Sequence, residues 1–452
     1  VSTSEIRAAL EALDLRPSRK LGQNFLADTN ISRAIVDLLD IGEGDTVVEI
    51  GPGLGALTDH IVGRARKVVL IEKDRRLAAY LRARFAEVPA VEIIEADAVN
   101  FDVRRFFADR PVKIISNLPY SAGGEIIRTF LGNPSPFQRA VFMLQKEVGE
   151  RLCAVPRTKD YGVLTLRVQR RWVPRPAKIV PPDVFWPKPQ VDSAVLILDP
   201  RDRSSLPAFD EALFDRLVRQ GFSQRRKQLR KLLPEPPVPW VEVSGAAGAP
   251  ETVRAEEIPL KDWVTLTNIY DDHPLKGEAQ DGGELFDIVD GDDRVTGQAP
   301  RDQVHGKGLK HRAVHIFLTN KHDEIFLQKR SHLKDVHPGK WDSSSAGHLN
   351  AGEDYATCAH REIEEELGIS PELEEIARIG ACPETGWEFV SLYRASSDKR
   401  LRYPCSEIET GTFFPLEVVG KWVGNSPEDF ATGFLECWKA FLACDTPPRT
   451  FG

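Results

Sequence analysis

Apolar positions recur at helical spacing over Ser4 to Leu15 and again over Ile31 to Leu39, and each pattern predicts a helix with one buried face. Between them lies Arg19-Lys20-Leu21-Gly22-Gln23-Asn24-Phe25-Leu26, a basic, amide-rich loop suited to covering a ligand. The pattern then changes. Thr46-Val47-Val48-Glu49-Ile50 is the nearly continuous apolar run of a buried parallel strand. It enters Gly51-Pro52-Gly53-Leu54-Gly55 before helical spacing resumes over Ala56 to Val62. Glycines there let the backbone approach a ligand closely. Three more runs follow: Lys67 to Ile71 ending in Glu72, Val91 to Ala96 ending in Asp97, and Val112 to Ile115 ending at Ser116-Asn117-Leu118-Pro119-Tyr120. Four successive strands thus each deliver a ligand-competent group at the carboxyl end, the edge at which open α/β sheets bind ligands.

The last of these strand ends suits chemistry on an adenine amine. That nitrogen is a poor nucleophile because its lone pair is delocalised into the ring. Acceptors gripping its N–H bonds draw it towards a pyramidal, reactive form. Asn117 offers a side-chain carbonyl, the turn at Pro119 offers main-chain carbonyls, and Tyr120 offers a ring on which a base can stack. Further on, Gly221 to Lys231 reads as a basic helix, Pro234 to Pro250 as a Pro/Gly/Ala-rich loop, and Asp271 to Gly283 as an interdomain linker without apolar period. In the second half, Arg361-Glu362-Ile363-Glu364-Glu365-Glu366-Leu367 places Glu362, Glu365 and Glu366 at i, i+3 and i+4, on one helix face. Massed carboxylates are unfavourable unless a cation neutralises them, and a hard ion such as Mg²⁺ suits them.

Charge sharpens the division. Residues 1–270 carry 40 Lys and Arg against 35 Asp and Glu, and residues 271–452 carry 20 against 33, so a polyanion partner fits only the first half. The six cysteines form no Cys-x-x-Cys pair and no metal-type spacing, which fits reduced thiols in a cytoplasm rather than a disulfide framework. No apolar run approaches a membrane span.

Gln23 to Leu26, Glu49 to Gly55, Asn117 to Tyr120, Leu144-Gln145-Lys146-Glu147-Val148 and Phe185-Trp186-Pro187-Lys188-Pro189-Gln190-Val191-Asp192-Ser193 resemble the bacterial ribosomal RNA small-subunit adenine dimethyltransferases over residues 4–268. The resemblance implies a Rossmann-like class I methyltransferase using S-adenosylmethionine to dimethylate N6 of two adjacent adenines near the 3′ end of small-subunit (16S) rRNA. A small all-α subdomain would follow. Matched position by position, Asn24, Leu26, Gly51, Glu72, Asp97 and Asn117 would bind the cofactor, Glu72 at the ribose and Asp97 at the adenine amine. Asn117 and the Leu118 carbonyl, on the turn at Pro119, would polarise the target nitrogen, with Tyr120 and Phe185 sandwiching the flipped base. Arg225, Arg226, Lys227 and Arg230 would contact RNA phosphates. After Tyr120 this chain reads Ser121-Ala122-Gly123-Gly124-Glu125 where relatives have a polar residue, Ile/Val, Ser/Thr and Pro, which implies a looser loop under the target base. The large-subunit rRNA methyltransferases of macrolide resistance share this core. They rank second because Lys188 to Ser193 and Ser223-Gln224-Arg225-Arg226-Lys227 are closer to the small-subunit enzymes.

Gly347, Glu353 and Arg361 to Ile369 fit the Nudix box at every fixed position. That resemblance implies an α/β/α sandwich in which Glu362, Glu365 and Glu366 hold Mg²⁺, a diphosphate binds, and Glu365 takes part in hydrolysis. Glu284 to Asp290, His311 to Val314, Leu327 to Ser331 and Pro338 to Asp342 resemble the Nudix branch of isopentenyl-diphosphate isomerase. His305, His311, His348 and Glu388 match that enzyme's second metal site. Isomerisation needs a cysteine where this chain has Ala346, and a further acidic ligand where it has Gly386, so a hydrolase is expected. The resulting organisation is a methyltransferase domain over 1–198, an RNA-contacting helical subdomain over 199–270, a linker over 271–283 and a Nudix domain over 284–452. The competing expectation is a ribosome-assembly factor whose Nudix half only recognises its ligand.

Overall fold

The computed structural model describes residues 3–17, 23–273 and 283–444. Arg19 to Gly22 of the expected covering loop, and residues 274–282 of the expected linker, lie outside them. The chain divides into two compact units, Val1–Leu206 with Glu211–Ile269, and Pro207–Asp210 with Tyr270–Gly452. Among the described residues, no helix is long and apolar enough to cross a membrane.

In the first unit the strands are β1 (Phe25–Leu26), β2 (Thr46–Ile50), β3 (Lys67–Glu72), β4 (Val91–Glu95), β5 (Val112–Asn117), β6 (Phe137–Gln145), β7 (Trp172–Val180), β8 (Phe185–Trp186) and β9 (Ser193–Pro200). The helices are α1 (Thr3–Ala12), α2 (Thr29–Asp37), α3 (Thr58–Ile61), α4 (Arg75–Arg84), α5 (Gly123–Phe130), α6 (Lys146–Cys153), α7 (Val163–Gln169), α8 (Glu211–Gly221), α9 (Trp240–Ala246) and α10 (Leu260–Tyr270). Seven strands form one sheet in the order β4-β3-β2-β5-β6-β9-β7. The first five are parallel, and β9 pairs antiparallel with both β6 and β7. From β2 the chain builds outward through β3 and β4 and then crosses to β5 on the other side. The topological switch point therefore lies between β2 and β5, the place where a crevice opens at the carboxyl edge. β2 is buried along its whole length, as its apolar run requires. A separate β1–β8 ribbon pairs Leu26 with Phe185 and Phe25 with Trp186.

Two expectations fail in the helical part. α8 stops at Gly221, so the basic segment is not helical; turns lead instead to a short 3₁₀ stretch over Leu229–Lys231. The cause is packing. A Cβ at Gly221 would lie 2.6 Å from the Trp263 ring and 2.8 Å from Leu229, and the chain turns there so that Leu229 is fully buried and its N–H reaches the Val253 carbonyl at 2.8 Å. The Pro234 to Pro250 segment is not all loop. It contains α9, which Pro239 precedes and buried Val243 anchors. At the start of the expected linker, Asp271 and His273 are buried.

The second unit contains β10 (Leu285–Val289), β11 (Val295–Pro300), β12 (His311–Thr319), β13 (Glu324–Arg330), β14 (Trp341–Asp342), β15 (Ser345–His348), β16 (Glu374–Ile379), β17 (Glu388–Ser396) and β18 (Ile408–Pro415). Its helices are α11 (Arg301–Lys307), α12 (Tyr355–Leu367), α13 (Leu416–Asn425) and α14 (Thr432–Ala443). A mixed sheet runs β14-β13-β12-β17-β16, with β15 on β12 and β18 on β13. Alternation along β12 separates two layers. Val314, Ile316 and Leu318 pack in one cluster with Cys358, Ala359, Ile363 and Leu367 of α12, while Phe317 meets Phe434, Trp438 and Phe441 of α14. α12 has a full set of end signals. Asp354 accepts the Thr357 N–H at 2.9 Å, and Gly368 closes it in the left-handed conformation, φ 68°.

Candidate functional site

At the switch point of the first unit lies a cavity whose wall includes Asn24, Leu26, Gly51, Glu72, Asp97 and Asn117. These are the six residues the sequence nominated for the cofactor. Gly51 and Gly53 have φ of 63° and 58°, where a side chain would strain the turn. Buried Glu72 accepts the Gly53 N–H at 3.2 Å and the Asp74 N–H at 2.8 Å, and burial raises its pKa. Asp97 accepts Lys73 Nζ at 2.7 Å and the Val99 N–H at 3.1 Å; these bonds lower its pKa, the lysine's most.

Asn117 ends β5 beside β2. Its Nδ2 donates to the Asn24 carbonyl at 3.0 Å, which turns Oδ1 away from that contact as a free acceptor among the described residues. The Leu118 N–H is held by the Met143 carbonyl at 2.8 Å. Pro119 lines the cavity, and its carbonyl takes the Ala122 N–H at 3.1 Å. A turn over Tyr120 to Ala122 leads directly into α5 at Gly123.

Tyr120 is half-buried, with its hydroxyl 2.7 Å from Ser193 Oγ. Phe185 does not form the expected open half of a sandwich. It is 4 % exposed, within the core cluster of Val36 and Val195, because it pairs with Leu26 and the two share the face that packs there. A base entering beside Tyr120 would have to uncover it. Sequence reasoning also passed over Glu49 and Lys73, both of which line the cavity. The signal available was their position, two residues before Gly51 and one after Glu72.

The four nominated cations separate. Arg225 is exposed but pairs with Glu256 at 2.9 Å and with the Lys159 and Tyr161 carbonyls. Arg230 bonds Gln228 at 3.1 Å. Arg226 and Lys227 are exposed and, among the described residues, make no ion pair.

In the second unit β15 is the wall shared by two groups of side chains. The Glu366 carboxylate accepts the Ala346 N–H at 3.1 Å and Gln328 Nε2 at 3.3 Å. The Glu362 carboxylate lies against Gly347, so that a Cβ there would be 2.0 Å from its carboxyl carbon. Arg361 spans the set, donating to Glu353 at 2.9 Å, Glu362 at 2.7 Å and Glu365 at 3.1 Å. Glu365 is the outward member, 46 % exposed at the side chain. Burial raises the pKa of Glu362 and Glu366, reinforced at Glu362 by the Glu366 carboxylate and at Glu366 by Glu407. Gly347→Ala is therefore expected to push the Glu362 carboxylate aside and weaken divalent-cation binding; unchanged cation affinity would refute that packing.

One residue further along β15, His348 joins His305 and His311, whose donor atoms all lie within 4.8 Å of one another. Glu388 sits opposite His311 across the β12–β17 pairing and accepts from His348 Nε2 at 3.0 Å. His305 Nε2 and His311 Nε2 are buried and, among the described residues, have no hydrogen-bond partner. Gly386 lies where a Cβ would be 3.7 Å from Glu388 Oε1, so an acid there would have reached this cluster. Both side-chain sets fit divalent cations. Arg301, itself buried, donates to His348 Nδ1 at 3.2 Å and lies 3.6 Å from Asp335.

A model of the ribosomal RNA adenine dimethylase family matches residues 15–272, and the NUDIX domain model matches residues 309–431. Ribosomal RNA small subunit methyltransferase A of Leptothrix cholodnii is 42 % identical over 254 residues, 56 % of this chain and 91 % of that protein. A solved dimethyladenosine transferase from Plasmodium falciparum is similar over 54 % of this chain and 95 % of its own, with 25 % identity and a TM-score of 0.46. The structure of DR0079 from Deinococcus radiodurans is similar over 36 % of this chain and 100 % of its own, with 23 % identity and a TM-score of 0.32.

Proposed function

The chain belongs to the ribosomal RNA adenine dimethylase family and carries a NUDIX domain behind it, and we propose that it dimethylates N6 of two adjacent adenines near the 3′ end of small-subunit rRNA, with S-adenosylmethionine as donor. The observation that carries this reading is the Asn24–Asn117 bond at the wall of the cavity that Glu72 and Asp97 also line. It leaves Asn117 Oδ1 and the Leu118 carbonyl to accept the two N6 hydrogens. The bound cofactor supplies an electrophilic methyl group. Glu72 holds the ribose hydroxyls, Asp97 the cofactor's adenine amine, and Tyr120 one face of the target base. The product amine loses its proton readily, so positioning carries most of the catalysis. Residues 1–198 do this chemistry, and 199–270 contact RNA. The test is methylation of unmodified small and large ribosomal subunits by the full chain, read as N6,N6-dimethyladenine. Product on small-subunit rRNA alone is expected, and product on large-subunit rRNA alone would overturn the assignment.

RNA phosphates meet Arg226 and Lys227 in this reading. The Arg226→Ala/Lys227→Ala pair is expected to weaken subunit binding and reduce the slope of log K against log salt by about 1–2. Arg225→Ala is expected to lower the melting temperature instead, since its partners are internal. The same salt slope in the double variant as in the parent would remove both residues from the interface.

For residues 284–452 we infer a cation-dependent hydrolase of a small diphosphate. Glu362, Glu365 and Glu366 would hold Mg²⁺, and His305, His311, His348 and Glu388 a second cation. With Ala346 in place of cysteine, isomerisation is not expected. Turnover by the full chain of one compound from a panel of nucleoside, dinucleotide and isoprenoid diphosphates would support this. Cation binding without turnover across the panel would favour a recognition module.

A further inference from the structure

We propose that Glu49 determines how strongly the methyltransferase cavity distinguishes the positively charged methyl donor from its neutral demethylated product, by exchanging a proton with solvent as one replaces the other. The inference rests on the cofactor reading above. Glu49 is the fourth residue of β2, 1 % exposed, and lines the cavity along with Glu72, Asp74 and Asp97. Among the described residues, Lys73 is the one cation in that wall, and it is already paired with Asp97 at 2.7 Å.

Glu49 differs from Glu72 in what holds it. Both Glu72 oxygens take backbone N–H groups, which favour the ionised form. Glu49 has a single partner among the described residues, Thr58 Oγ1 at 2.6 Å, a hydroxyl that bonds either form. The charged groups around it do little to keep it ionised. Asp59 beside Thr58 is covered by Arg84 at 2.7 Å, Glu72 approaches from β3, and from β5 Ser116 spends its hydroxyl on the Ile50 carbonyl. Lys113 pairs with Asp45 at 2.8 Å. Burial, with Asp59 and Glu72 adding to it, pushes Glu49 up to about 8, so it holds a proton at neutral pH in the empty cavity.

The sulfonium of the donor carries one positive charge more than the thioether of the product. A cation in the cavity favours ionised Glu49, so donor binding expels the proton and product binding does not. The sign follows: below pH 8 donor binding must displace the proton, and above it the carboxylate is already formed. Donor affinity relative to product therefore rises with pH.

Calorimetric titration of the full chain with S-adenosylmethionine and S-adenosylhomocysteine at pH 6.5, 7.5 and 8.5 tests this. The ratio of the two dissociation constants is expected to move about ten- to thirtyfold in favour of the donor over that range, and Glu49→Gln is expected to flatten the change. Comparing parent and variant with the same ligand cancels the ligand's own titration. Proton release is counted at pH 6.5, below the ordinary α-amino range of about 7.7–8.0, in buffers of different ionisation enthalpy. There the parent should release protons with the donor and not with the product, a readout that stands even if the variant does not fold. A pH-independent ratio with both ligands bound, or equal proton release with both, would overturn the role of Glu49. No binding of either ligand at any pH would overturn the cofactor reading itself.

Discussion

Asn117→Ala is expected to lower dimethyladenosine formation about 10²–10³-fold, the usual cost of deleting one preorganised polar group at a reacting centre. Subunit binding should change little, since that surface lies in other residues. The variant loses two things: the Oδ1 acceptor for the target amine, and the Nδ2 bond at 3.0 Å that ties Asn24 to the cavity wall. Asn117→Asp separates them, because it keeps the acceptor and loses the donor to Asn24. Single-turnover methylation and cofactor affinity, measured on both variants, read the two effects apart. Methylation by Asn117→Ala at the parent rate would refute the site.

Glu365→Gln is expected to reduce diphosphate hydrolysis about 10²–10⁴-fold if Glu365 handles a proton in the reaction. Of the three box carboxylates it is the one facing solvent, while Glu362 is closed in by Gly347 and Glu366 by the Ala346 N–H. It is therefore the one able to reach a water molecule. Glutamine has the same shape, so the Arg361 contact and the fold should persist, and cation affinity measured alongside shows whether the box still holds its ion. An unchanged cation-dependent rate would remove Glu365 from the catalytic set.

Much of the architecture was legible because parallel strands buried on both faces must be apolar runs. Thr46–Ile50 was bounded to the residue, and the strands ending at Glu72, Asp97 and Asn117 were bounded within two. The cavity-lining groups were legible for the same reason: at the carboxyl edge of such a sheet, a polar residue after an apolar run has few places to point. The box on α12 was legible because its constraints are local, with one helical turn aligning Glu362, Glu365 and Glu366. Where sequence reasoning went astray, a distant partner decided. Gly221 ended a helix against Trp263, Phe185 went into the core beside its partner Leu26, and Arg225 paired with Glu256 and two carbonyls.

By itself, then, the sequence determined the two-part plan, the order of strands and helices along it, and the identity of the groups at each strand end and on α12. These follow from periodicity and local spacing, which involve only neighbours in the chain. Tertiary structure alone decided that β2 and β5 flank the crevice, that Phe185 is buried beside Leu26, and that Glu49 lines the cavity with, among the described residues, one hydroxyl partner. Such facts depend on which residues share a low-dielectric enclosure. Burial and proximity set protonation, pairing and access there, and neither is a property of any short stretch of chain.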